Sequence, residues 1–133
     1  MKGYVYCIMA LSLVLGACVG EKVSPNAVAL GVDFSWENTK KCTSVSPAIR
    51  VSGVPDGTKS FKVRLVDLDK TSWNHGGGTV ANDGSGVIPA GALKSGYNGP
   101  CPPSGSHRYK FIVKALDAQG VVIGEGSNVK SFP

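Results

Sequence analysis

The sequence predicts a mainly β fold, a sandwich or sheet domain with little helix. No long stretch repeats apolar residues at the 3.6-residue spacing of an amphipathic helix. Short stretches instead alternate apolar and polar side chains, the two-residue period of a half-buried strand. Glycine and proline, 18 and 8 residues respectively, recur between these stretches and mark frequent turns.

Along the chain, Lys2 precedes a mainly apolar stretch from Tyr4 to Val14, and Leu15-Gly16-Ala17-Cys18 follows. This is the order of a secretory signal, too short for a permanent membrane span. The small residues before Cys18 resemble the lipobox of bacterial lipoproteins, whose cysteine is lipidated and becomes the first mature residue. An ordinary cleaved signal with an incidental cysteine is the alternative. The expected organisation is a signal over 1–17, a lipidated N-terminus and tether over 18–27, and one folded domain over 28–133. The expected location is a bacterial cell envelope, at a lipid-anchored membrane surface. Val19, in place of an aspartate after Cys18, favours the outer membrane or periplasmic face. Cys7 leaves with the signal and Cys18 takes lipid, so Cys42 and Cys101 remain in the domain. In an exported domain such a pair suggests a disulfide, which stabilises by about 4 kcal/mol on the chain-entropy model; two buried free thiols are the alternative.

The first strand is expected around Val32, Phe34 and Trp36, and the second around Ile49 and Val51. A turn at Pro55-Asp56-Gly57 leads to the third, where Phe61, Val63 and Leu65 alternate with Lys62 and Arg64. Continuing that period puts Asp67 and Asp69 on the core-facing side, provided the strand stays extended. Ser72 to Leu93 is the least regular segment. The last strong strand runs from His107 to about Leu116, with His107, Tyr109, Phe111 and Val113 on one face. Asp117-Ala118-Gln119-Gly120 then turns the chain into Val121 to Ile123. Carboxylates and an imidazole that extend buried faces need partners, so the ends of these two strands are expected to converge on a pocket.

The rigid run Gly96-Tyr97-Asn98-Gly99-Pro100-Cys101-Pro102-Pro103, closed by Ser106-His107-Arg108-Tyr109, suits the wall of such a pocket. It resembles the signature of the phosphatidylethanolamine-binding protein family, also known through the Raf kinase inhibitor proteins, and in particular its small bacterial branch. Cys42 to Pro47, Val54 to Phe61, Asp67-Leu68-Asp69 and Trp73-Asn74-His75 fall in the family's order, so the resemblance covers roughly residues 34 to 117. Two features depart from it. Gly76-Gly77-Gly78 stands where the family has a second tryptophan and an apolar strand, and Leu68 stands where it has proline.

The resemblance implies a small anion site that accepts phosphate-like groups, as on a phospholipid head group, formed by Asp67, Asp69, His75, Gly99, His107 and Tyr109. Imidazole and phenol donate to phosphate oxygens, and a backbone N–H near Gly99 adds another donor. The carboxylates orient the imidazoles or bind an ammonium group. Each residue also has a plainer reading: the aspartates as a solvated turn, His107 as a satisfied core histidine, His75 as an exposed side chain beside glycines, Trp73 and Tyr97 as wall or core. A metal site of His75, His107 and the aspartates lacks close ligand spacing. His75-Gly76-Gly77-Gly78 matches an esterase oxyanion-hole motif, but no Gly-x-Ser-x-Gly elbow accompanies it and Ser85 has the wrong spacing.

The net charge of +5 is dispersed, without the dense basic runs and interleaved aromatics that nucleic acid requires. The expected protein is therefore a non-catalytic, lipid-anchored binding protein with no cofactor. Its expected partners are a small anion or phosphorylated head group and the membrane that holds Cys18. The alternatives are a structural or protein-interaction lipoprotein that keeps the fold without a working pocket, and an inhibitor of another enzyme.

Overall fold

The computed structural model describes residues 20–133, which form eight strands in two sheets. The strands are β1 (Val23–Ala29), β2 (Gly31–Phe34), β3 (Ile49–Ser52), β4 (Ser60–Asp67), β5 (Asn74–Ala81), β6 (Val87–Ile88), β7 (His107–Leu116) and β8 (Val122–Phe132). A five-stranded sheet has the order β1-β8-β7-β4-β5, and a three-stranded sheet the order β2-β3-β6. Only the β1–β8 pairing is parallel; the rest are antiparallel.

The alternation seen in the sequence sets which face is buried. Phe61, Val63 and Leu65 of β4 and Phe111, Val113 and Ala115 of β7 turn inward, where they form one cluster with Val32, Phe34, Ile49 and Val51 of the small sheet. Phe34 meets Phe111 edge to face at 4.9 Å between ring centroids, so the two sheets are joined through aromatic packing. The opposite faces of β4 and β7 carry Lys62, Arg64, Lys110 and Lys114.

Four elements differ from the sequence expectation. The segment expected as a tether contributes β1, paired with β8 through Val28↔Gly124 and Ala29↔Glu125, so the domain starts before residue 28. The expected signal and Cys18 lie outside the described residues. Trp36 lies beyond the end of β2 and starts a turn by accepting the Thr39 N–H, yet its ring still packs on the core. The irregular middle segment holds β5, which continues through all three glycines. A Cβ on Gly77 would stand 1.9 Å from the Val63 carbonyl oxygen, and one on Gly76 would stand 1.8 Å from that of Gly96. Close backbone approach, rather than a side-chain pattern, defines this strand. Finally, β8 extends from Val122 to Phe132, well past Ile123, because Gly124 and Gly126 lie against Leu30 and leave no apolar alternation to read.

The expected disulfide is present between Cys42 and Cys101. It ties the loop after β2 to the Gly/Pro run before β7, and two backbone bonds reinforce it: Cys42 N–H to Pro100 O at 2.8 Å and Gly99 N–H to Thr43 O at 2.8 Å.

Candidate anion site

Asp67 ends β4 and is fully buried. One carboxylate oxygen, Oδ1, accepts the backbone N–H groups of Asp69 at 2.8 Å and Lys70 at 2.9 Å. This turn on the aspartate's own side chain stops the strand. The other oxygen, Oδ2, lies 2.7 Å from Nδ1 of His107, the first residue of β7. Since a carboxylate only accepts, Nδ1 carries the proton, and Nε2 of His107 makes no protein hydrogen bond among the described residues. Burial pushes the Asp67 carboxyl up, but the hydrogen bonds from His107 and the Asp69 N–H outweigh it and hold the group below its ordinary value.

His75 approaches the same carboxylate from β5. Its Nδ1–H donates to Asn98 O at 2.8 Å, which directs Nε2 to within 3.9 Å of Asp67 Oδ2. The residue is only 4 % exposed, and Nε2 is buried without a hydrogen-bond partner. One buried carboxylate thus stands between two imidazoles. Tyr109 completes the cluster, with its ring 5.3 Å from that of His75 at 86° and its hydroxyl accepting the Cys101 N–H at 3.3 Å. Burial, with the nearby charge of Asp67, raises the Tyr109 phenol to about 12, so it keeps its proton at neutral pH.

A cleft of about 380 Å³ lies against His75, walled by Trp73, Asn98, Gly99 and the Cys42–Cys101 disulfide. Asp67, His107 and Tyr109 are not part of this wall; His75 is the residue common to cleft and cluster. Trp73 is 43 % exposed at the cleft, with the Lys70 ammonium 6.0 Å from its ring.

Two of the six residues expected at the site are used differently. Asp69 does not join the carboxylate–imidazole cluster, because the turn at Asp67 ends the extended backbone on which the two-residue count relied. Its carboxylate accepts from Arg108 N at 2.7 Å and Nη2 at 2.9 Å, and Arg108 lowers its pKa to about 2. The Gly99 N–H, expected to face a ligand, is spent on Thr43 O. Glycine is needed there for another reason: a Cβ would lie 2.7 Å from that same oxygen. The Gly76 N–H likewise bonds Asn74 Oδ1 at 2.9 Å, so the esterase-like string offers no free amide at that position.

Sequence reasoning missed two contributors. Asn98 orients His75 through its carbonyl, which no side-chain pattern announces. Arg108 holds Asp69, and that pairing could have been read only by aligning β4 with β7 in register, Asp67↔Tyr109. Among the described residues, no group of three or more His, Cys, Asp or Glu is placed to share a metal ion.

A sequence profile of the family described as Phosphatidylethanolamine-binding protein matches residues 24–132. Among curated proteins, the chain is 33 % identical over 133 aligned residues to UPF0098 protein YbhB of Escherichia coli K12, covering 82 % of this chain and 79 % of YbhB. It is 32 % identical to UPF0098 protein YbcL of the same organism, covering 82 % of this chain and 69 % of YbcL. Among solved structures, CT736 of Chlamydia trachomatis, described as a homolog of the phosphatidylethanolamine-binding protein, superposes with a TM-score of 0.54 at 22 % identity, covering 81 % of this chain and 98 % of that one.

Proposed function

The chain belongs to the phosphatidylethanolamine-binding protein family, and from that premise we propose that its cleft binds a small anion or phosphorylated head group without catalysis. The observation that carries this reading is His75, which lines the cleft while its buried Nε2, without a hydrogen-bond partner, faces the Asp67 carboxylate behind the wall. An orphaned polar atom costs stability, and a ligand group that hydrogen-bonds it repays that cost on binding.

Each neighbour has a distinct task. Asp67 accepts from Nδ1–H of His107 and so fixes the ring's tautomer and orientation. Asn98 O fixes His75 in the same way. The Tyr109 phenol keeps its proton beside the cluster. Asp69 belongs to the frame rather than the ligand shell, since Arg108 occupies it.

Titration of the purified protein with inorganic phosphate, phosphoethanolamine and acetate, followed by calorimetry, tests the reading. Saturable binding of phosphate and phosphoethanolamine is expected, weakened about tenfold or more by His75→Ala at the wall, or by His107→Ala through the carboxylate that the two imidazoles share, in line with the loss of one hydrogen bond to an anion. Binding that survives both substitutions would sink the site. The same proposal places the protein on a membrane of the cell envelope through lipid on Cys18. Labelled fatty acid should enter the wild-type chain and not Cys18→Ser.

A further inference from the structure

The face of the five-stranded sheet that turns away from the core carries a basic surface that the cleft does not use. Lys62 of β4 stands directly opposite Lys114 of β7, and Arg64 and Lys110 flank Ile112 on the same face. Like charges facing one another across a sheet repel, so this arrangement works against the fold by itself. One residue relieves part of it: the Glu21 carboxylate lies over the face, bonded to Lys62 at 3.0 Å and to Lys114. Glu125 adds a second carboxylate, 3.8 Å from Lys114. Arg64 and Lys110 pair with no carboxylate among the described residues.

Glu21 also fixes where the rest of the chain joins the domain. Cys18, the proposed lipid carrier, stands two residues before Gly20, and a side chain at Gly20 would meet nothing within 4 Å. The chain therefore enters the fold across the basic face, not at the cleft. We propose that this face, centred on Arg64, Lys110 and Ile112, docks on a bilayer rich in anionic phospholipid, with the lipid on Cys18, as proposed above, anchored beside it. Charge complementarity supplies the attraction, and the entry point of the chain brings the lipid surface to this face rather than another. Ile112 adds a half-buried apolar contact between the two cations. This docking does not depend on the cleft.

Co-sedimentation of the full chain with vesicles of phosphatidylcholine, with and without phosphatidylglycerol, tests it. Phosphatidylglycerol should raise the bound fraction at low salt, and added salt should reverse the gain. Arg64→Gln with Lys110→Gln should lower partitioning onto the anionic vesicles by about twenty-fivefold, from about fivefold per basic residue, and leave binding to phosphatidylcholine alone unchanged. Phosphate titration of the double variant should match wild type, which shows that fold and cleft are intact. Three results would overturn the proposal: no gain from phosphatidylglycerol, a gain that the double variant retains, or a gain abolished by His75→Ala, which would assign lipid capture to the cleft. Failure of the phosphate titration alone would count against the cleft and leave the docking face standing.

Discussion

At the scale of single residues, Asp67 matters most, because its two oxygens do two jobs. One ends the strand through the Asp69 and Lys70 amides, and the other holds His107. Asp67→Asn should cost about 2–4 kcal/mol at neutral pH, since it leaves buried donors badly matched. The pH dependence follows from the lowered carboxyl. A group whose folded pKa lies below its unfolded value of about 3.9 stabilises fully above that value and loses its contribution as pH falls through the folded one. The denaturation midpoints of wild type and Asp67→Asn should therefore draw together on acidification below about pH 4; a gap of constant size would refute the assignment. Asp69→Asn should leave phosphate affinity within about twofold, since its carboxylate is committed to Arg108 outside the cluster. Asp67 and His107 were legible in the sequence because strand alternation carries both to one end of the sheet. Asp69 was misread because a side-chain hydrogen bond, invisible to periodicity, bends the chain one residue too early.

At the scale of elements, β4 and β7 show how far alternation reaches, and β5 shows where it stops. The burial of Phe61, Val63, Leu65, Tyr109, Phe111 and Val113 follows from spacing alone. In β5 the glycines remove the pattern while the backbone pairing persists, Val63↔Gly78 and Arg64↔Gly77. Their need for glycine is steric and so testable. Gly77→Ala should destabilise by about 3 kcal/mol or more, because the methyl group would collide with main-chain atoms that cannot rotate away. Gly84, at φ 82 in open space, provides the control: alanine there should cost only about 1–2 kcal/mol, the strain of the left-handed backbone. Equal losses in urea denaturation would show that the crowding at Gly77 carries no energetic weight. β1 escaped sequence reading for a different reason: most of its side chains are exposed, so there was no buried face to detect.

At the scale of the whole molecule, the Cys42–Cys101 bond joins two loops that no strand pairing connects, and those loops form the wall beside His75. Reduction should lower stability by about 4 kcal/mol, measured as the shift in denaturation free energy with and without reductant. The cysteine count made this bond legible; its place in the cleft wall emerged only once the loops met. The parallel pairing of β1 with β8 has a consequence for biosynthesis. Of the described strands, the one that leaves the ribosome first has its hydrogen-bonding partner in the one that leaves last, Val23 against Val122. Until β8 emerges, β1 waits unzipped and the edge of β7 stands bare, open to mispairing with another nascent copy. The five-stranded sheet closes only once β8 is available, and a nascent chain stalled before Val122 should stay sensitive to protease throughout.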